Sequence, residues 1–410
     1  MEKGNIIIVG AGFGGITAAL GLAKKLPSGF SLILVDRHHH QLYTPALYEI
    51  ASIPKEITQN TVLKSSILIP IRNIIEGKPI RFISDECIAV NAKEKTVTLQ
   101  KTGTLSYEYL LLALGSETAY FDIPGLREHA LPLKTFDDAL AMRNAIENLL
   151  RIKEEVYIVV GGAGSAGIEL VAEFVNFVCL MKEKLMPDVK KCSVFFTLVE
   201  ASPDILPGFE PWVVELAKKR LQELGIRIKT NTAVVSASAS RITYKNGETE
   251  QSDILIWTGG VKGPALISRI GLETSSRGSL IVDPYLRANK SGGRIFAIGD
   301  NASVINPHTQ KPLVWNVPVA EKEARVAVKN ILRAIAGYPL KPFIPAKRYP
   351  FILAVGEKYA IADLLIFRFW GLSGWIAKQL VEFRYLLFIL PPRKALAVWW
   401  QSITVSHAND

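Results

Sequence analysis

One unit occurs twice in this chain and leaves the rest little freedom: an apolar strand, a Gly-x-Gly-x-x-Gly turn, an apolar helix, and a second apolar strand ending in an acid. The first copy runs Asn5-Ile-Ile-Ile-Val9, then Gly10, Gly12, Gly14 and Gly15, then an Ala/Leu-rich run to Leu20, then Ser31-Leu-Ile-Leu-Val35 with Asp36 at its end. An unbroken apolar, β-branched run reads as a strand buried on both faces, as in a parallel sheet. Gly10 permits the tight turn, Gly12 removes the side chain that would block a pyrophosphate, and Gly15 lets helix and strand approach closely. The helix start adds N–H groups and partial positive charge. Asp36, about twenty residues past Gly15, stands where a carboxylate accepts from a ribose hydroxyl.

The second copy is Val156-Tyr-Ile-Val-Val160, the turn Gly162, Gly164 and Gly167, a helix opening Ile168-Glu169, and the strand Phe195-Phe-Thr-Leu-Val199 with Glu200. Its interval from glycines to acid is longer, and the surplus around residues 179–193 is expected to extend the connecting helix. Two such units imply two bound dinucleotides facing each other. Glu200, with no Arg immediately after it, is expected to favour NADH over NADPH, because a carboxylate repels a 2′-phosphate.

At 410 residues the chain is expected to form two or three domains. The fold class is α/β: two Rossmann-like domains, the second inserted in the first, plus a C-terminal amphipathic helical segment. The expected boundaries are 1–118 with 270–345, 150–269, and 346–410. Cys87, Cys179 and Cys192 show no C-x-x-C or metal spacing and read as unpaired, which fits a reducing compartment. His38, His39 and His40 are adjacent and point in different directions, so no metal is expected there. With the first strand opening at about residue 5, no signal peptide is expected ahead of it.

The net charge is +10. Residues 341–410 carry nine Lys/Arg against four Asp/Glu amid many Trp, Phe and Leu. No nucleic-acid motif accompanies the charge, so nucleic acid is excluded as a partner and a membrane surface is favoured. From Phe367 to Leu390 the apolar run is interrupted by Arg368, Lys378, Glu382 and Arg384, too often to span a bilayer. It reads instead as an amphipathic helix lying in the interface, with the aromatic Trp399-Trp400 beyond it.

Three further stretches end in glycines: Tyr109-Leu-Leu-Leu-Ala113-Leu-Gly115-Ser116, Asp253-Ile-Leu-Ile-Trp257-Thr-Gly259-Gly260, and Ile298-Gly299-Asp300. Pro318 is expected to start a helix over Val319–Ala336. Together these residues resemble the two-dinucleotide flavoproteins, and more narrowly the type II NADH dehydrogenases, over essentially the whole chain. The resemblance implies FAD held by Gly10, Gly12, Gly14, Gly15, Asp36, Pro45, Ala113, Gly115, Gly299 and Asp300. It implies NADH as substrate on Gly162, Gly164, Gly167, Glu200, Gly259 and Gly260. Glu169 is a candidate catalytic group on the first helical turn. Pro318 and Lys322 stand where the family usually has two glutamines for the quinone, and Lys322 would donate to a quinone carbonyl.

The implied activity is hydride transfer from NADH to FAD and electron delivery to a quinone, without proton pumping, on the cytoplasmic face of a membrane with anionic lipid, in a monomer or a homodimer. The alternative is a soluble NAD(P)H-dependent flavoprotein that passes electrons to, or docks on, a protein partner. Disulfide reductases and sulfide:quinone oxidoreductases need cysteines at the flavin, and no cysteine follows Cys192. Residues up to about 340 contain both glycine turns and both acids, so the nucleotide sites are expected to be complete without the C-terminal segment.

Overall fold

The computed structural model describes residues 4–54, 60–185, 193–307 and 309–407. Packing divides the chain into two compact units, each gathered from three stretches. One comprises Met1–Leu42, Leu68–Glu117 and Val261–Tyr349; the other comprises Tyr43–Ile67, Thr118–Gly260 and Pro350–Asp410. These divisions differ from the expected boundaries most in the last segment, which packs with the second glycine turn rather than standing apart.

The first unit is built on a parallel sheet of five strands in the order Ile295–Ala297, Tyr109–Leu112, Gly4–Val9, Phe30–Asp36, Arg81–Ser84. Ile6, Ile7 and Ile8 are wholly buried, as a central strand covered on both faces requires. Val9 lies level with Val35 on one side and Leu112 on the other, so three strands end together. The loops that leave this edge sit where open α/β sheets bind ligands. The helix Phe13–Ala23 follows the turn and packs against the helix Val317–Ile335. That second helix is capped by Asn316, whose side chain accepts from Val319 N at 2.9 Å, and carries its proline in the first turn.

The second unit repeats the plan with the strand order Ala130–Pro132, Ile254–Trp257, Val156–Gly161, Val194–Val199, Arg227–Lys229, again all parallel. Gly161 lies level with Val199 and Trp257. The helix Ser165–Leu185 has 21 residues against 11 in its counterpart Phe13–Ala23, as the longer interval implied; residues 186–192 and Cys192 lie outside the described residues. Thr135 opens the helix Phe136–Ile152 with a reciprocal capping box to Asp138. Cys87 is buried and free. Cys179 is disulfide-bonded, which corrects the reading of the cysteines as unpaired: sequence spacing does not reveal which sulfurs the fold brings together.

The C-terminal segment begins with an antiparallel sheet of Phe351–Ala354, Ala360–Asp363 and Arg368–Gly371. Phe367 to Trp370 therefore does not belong to the helix expected there. Pairing with Ala360–Asp363 captures Arg368–Gly371 as strand, Gly371 turns the chain at φ +71°, and the helix runs Leu372–Ile389. Pro391 separates it from a second helix, Pro392–His407.

Candidate active site

The first glycine turn is shaped by contacts that exclude side chains. A Cβ on Gly10, where φ is +106°, would lie 2.2 Å from the Ala113 carbonyl oxygen, and one on Gly15 would lie 1.8 Å from the Gly10 oxygen. A Cβ on Gly12 meets nothing within 4 Å. The space in front of Gly12 is open, and the helix beginning at Phe13 has no side chain capping its first N–H groups. Asp36 reaches back to the turn: Oδ2 accepts from Ala11 N at 2.6 Å and Oδ1 from His38 N at 2.8 Å. An open cradle, uncapped helix N–H groups and a fixed carboxylate fit the pyrophosphate and ribose of a dinucleotide.

Gly14 packs toward Ile298, and Gly115 is left-handed at φ +72° beside open space. Ser116 Oγ donates to Asp300 Oδ2 at 2.6 Å, joining the end of the Tyr109–Leu112 stretch to the Gly299–Asn301 turn. Ala113, Gly115, Gly299 and Asp300 thus share one unit with the first turn. Pro45, in the short helical turn Thr44–Ala46, belongs to the other unit.

At the second turn, a Cβ on Gly162 (φ +102°) would lie 2.5 Å from Gly259 Cα, and one on Gly167 would lie 2.0 Å from the Gly162 oxygen. Gly164, like Gly12, faces open space. Glu200 copies Asp36, with Oε2 accepting from Ala163 N and Oε1 from Ser202 N, both at 2.8 Å. The Trp257 ring lies across Gly161 and Gly259, where added Cβ atoms would approach it to 2.5 and 2.4 Å, and its indole N–H donates to the Ala119 oxygen at 2.8 Å. Gly260 accepts at its carbonyl from Ala119 N at 3.0 Å.

Glu169, itself half-buried, borders a buried polar group that sequence reasoning missed. Its Oε1 accepts from Ala354 N at 3.3 Å. Loss of solvent pushes its pKa up to about 8, against the opposing pull of Lys378 and that backbone bond. Lys378 forms an ion pair with Glu49, and their side chains are 15% and 6% exposed. Burial alone would lower the Lys378 pKa, but Glu49, Glu382 and Glu173 outweigh it and raise it. Burial also lifts Glu382 to about 7. Tyr48 OH donates to Glu49 Oε1 at 3.2 Å. Ala354 and Lys378 come from the C-terminal segment, so the surroundings of Glu169 extend beyond residue 340. The signal available was Lys378 itself, a charge inside an apolar run, which reads just as well as a solvent-facing residue.

The same inversion holds along the helix Leu372–Ile389: Gln379 and Glu382 are buried while Leu372, Ile376, Leu380, Val381, Leu387 and Phe388 are exposed. Among the described residues, no helix is long and apolar enough to cross a membrane. Lys322 is exposed, with Nζ 4.8 Å from the centre of the Tyr349 ring. Its neighbour Glu323 is 2% exposed and accepts from Gly299 N at 2.6 Å.

Two parallel sheets, each with a glycine cradle and a terminal acid, define an oxidoreductase-type fold with two dinucleotide sites. The model of the pyridine nucleotide-disulphide oxidoreductase family matches residues 4–324, and the chain belongs to that family. A type II NADH:quinone oxidoreductase of Staphylococcus haemolyticus is 26% identical over 356 residues, covering 83% of this chain and 85% of that protein. A probable mitochondrial NADH-ubiquinone oxidoreductase of Schizosaccharomyces pombe is 27% identical over 423 residues, covering 89% and 74%. Among solved structures, NDH2 from Plasmodium falciparum in complex with NADH superposes with a TM-score of 0.83 at 20% identity, over 98% of each chain. The sulfide:quinone oxidoreductase of Aquifex aeolicus gives 0.78 at 19% identity, over 94% and 90%.

Proposed function

We propose that the chain is an NADH:quinone oxidoreductase: it takes hydride from NADH on a bound FAD and delivers the electrons to a quinone at a membrane surface, without pumping protons. The observation that carries this reading is the pair of complete cradles in one chain, each with an open glycine and a clamped acid, at Gly12 with Asp36 and Gly164 with Glu200. FAD, when bound, supplies the conversion between hydride chemistry and electron delivery. Gly12 gives its pyrophosphate room while Gly10, Gly14 and Gly15 let strand, turn and helix close together, Asp36 takes the ribose, Asp300 takes the polyol chain, and Ala113, Gly115 and Gly299 flank it. Gly164 does the same for the pyrophosphate of NADH, Gly162, Gly167, Gly259 and Gly260 let the second turn pack closely, and Glu200 takes the ribose. Glu169, protonated up to about pH 8, adds no charge against the nucleotide's phosphates and can donate a proton at the turn. Lys322 donates to a quinone carbonyl.

Thiol chemistry has no support among the described residues. Cys179 lies ten residues beyond Glu169 on the same helix, roughly 15 Å along its axis. The curated relatives quoted above are named for quinone reduction, which also favours this acceptor over a protein partner.

The membrane reading rests on the inverted helix and its neighbours. Ile366, Phe367, Trp370 and Trp400 are 84%, 62%, 55% and 66% exposed, an apolar surface that water disfavours. Arg384 and Arg393 of the same C-terminal segment are exposed as well, and each basic residue near an anionic headgroup contributes about 1 kcal/mol. The chain is then peripheral, on the cytoplasmic face. NADH added without oxygen should bleach the bound flavin, and a short-chain quinone should restore its colour within one turnover. Failure of quinone to restore it, or failure of the full-length chain to float with anionic liposomes, would remove the corresponding half of the proposal.

A further inference from the structure

The helix Val317–Ile335 sends one buried carboxyl to the turn that carries Asp300. Glu323 Oε2 accepts from Gly299 N at 2.6 Å, at a glycine held in the left-handed region with φ +70°. The strand side of the same turn is fixed separately: Ile298 N and Asn301 Nδ2 both donate to the Leu112 oxygen, at 3.0 and 3.1 Å. We propose that Glu323 is a positioning residue: by accepting the Gly299 N–H it fixes the turn that presents Asp300, and so sets how firmly this chain retains a flavin dinucleotide. The inference rests on the FAD reading above and adds to it a residue that touches no cofactor itself.

The charge around Glu323 determines how the anchor works. Burial pushes its pKa up to about 8, with Asp300 adding to the rise and the Gly299 bond opposing it. It therefore holds the turn as a neutral acid, and Asp300, itself bound by Ser116, is the side chain presented there. Tyr349 faces Glu323 from the stretch that follows the helix, its phenol raised by burial and by Glu323, and Lys322 on the same helix turns to the Tyr349 ring. The packed helix Phe13–Ala23 brings no titratable side chain. Ionising Glu323 would place a negative charge, itself shielded from solvent, beside Asp300, and the turn would loosen.

The test compares the FAD-loaded full-length chain with Glu323→Gln and Glu323→Leu, measuring FAD release by the rise in flavin fluorescence after dilution at pH 6.5 and pH 9.5. The unaltered chain should release FAD at least fivefold faster at the higher pH. Glu323→Gln keeps an acceptor that cannot ionise and should retain FAD with equal release rates at both. Glu323→Leu leaves the Gly299 N–H without its acceptor and should release FAD at least tenfold faster at either pH. Retention by Glu323→Leu equal to that of the unaltered chain, or a persisting pH rise in Glu323→Gln, would overturn the role of Glu323 alone. An unaltered chain that takes up no FAD would overturn the FAD reading with it.

Discussion

Counted from their first glycines, the two turns place Thr17 and Glu169 at the same position, two residues past the last glycine of each. Thr17 is 3% exposed and its hydroxyl has no partner, within a short helix almost entirely buried. Glu169 is a carboxyl surrounded by Lys378, Glu49 and a backbone donor from a strand almost two hundred residues later. The backbone contacts that shape the two cradles are otherwise near copies. Cradle geometry is thus set by glycines and a strand edge, whereas the chemistry is set by what packs against the first helical turn. A neutral, inert start suits a group that stays bound, and a titratable start suits a nucleotide that comes and goes.

Substitutions at the glycines test that separation most severely. Gly15→Val and Gly167→Val drive a side chain into a rigid carbonyl and should cost more than the roughly 1–3 kcal/mol of ordinary overpacking, leaving little folded protein. Gly12→Val and Gly164→Val enter open space and should fold. The first should purify colourless; the second should stay yellow but no longer be reduced by NADH. A fold lost in all four would mean that the open glycines are structural too.

Lys378→Met removes the cation from a buried carboxylate cluster, and breaking such a pair costs about 3–5 kcal/mol. Denaturant melts should show the loss in the second unit, with NADH-dependent flavin reduction failing before flavin is released. Glu200→Ser should narrow the preference for NADH over NADPH by tenfold or more in kcat/KM. The same substitution at Asp36 should leave that preference unchanged.

The raised carboxyls predict a smaller, pH-dependent effect. Glu169 and Glu323 titrate near 8 and Glu382 near 7 in the folded chain, against an ordinary 4.5. Unfolding lets these protons leave, so the folded state binds more protons between about pH 4.5 and 8, and stability falls as pH rises through that window. Glu169→Gln with Glu382→Gln should flatten the fall in Tm more than Glu323→Gln, since two of the three groups lie in the second unit. Least of all, Lys322→Ala removes an exposed cation from the Tyr349 ring and should change stability by under about 1 kcal/mol. Any larger effect should appear in the KM for quinone.

Much of the cradle was readable because its parts are local: β-branched runs, glycines at fixed offsets, an acid at a strand end. The helix from Val317 was readable for the same reason, through Asn316 and Pro318. What could not be read depends on distant partners. Nothing near Arg368 announces that Ala360–Asp363 will pair with it, and the strand overrides a pattern equally good for a helix. Lys378 and Glu382 interrupt an apolar run in the way exposed residues do. Glu49, more than three hundred residues upstream, pairs with Lys378, and Ser402 on the next helix bonds Glu382, so distant partners turn both inward. Glu323 was hidden because its partner is a backbone N–H, which has no sequence signature.

The strand Gly4–Val9 is central in its sheet, yet the edge strand that completes that sheet is Ile295–Ala297. A ribosome adding about 5–20 residues per second needs roughly fifteen to sixty seconds to travel from one to the other. Over that interval the nascent first sheet presents apolar strands with unpaired backbone along one side, the surface that other chains pair with. The second unit waits longer still, because Lys378 must emerge before Glu49 gains its counter-charge. Translation speed and chaperone supply, more than the strength of any single contact, should therefore govern how much active protein a cell obtains from this chain.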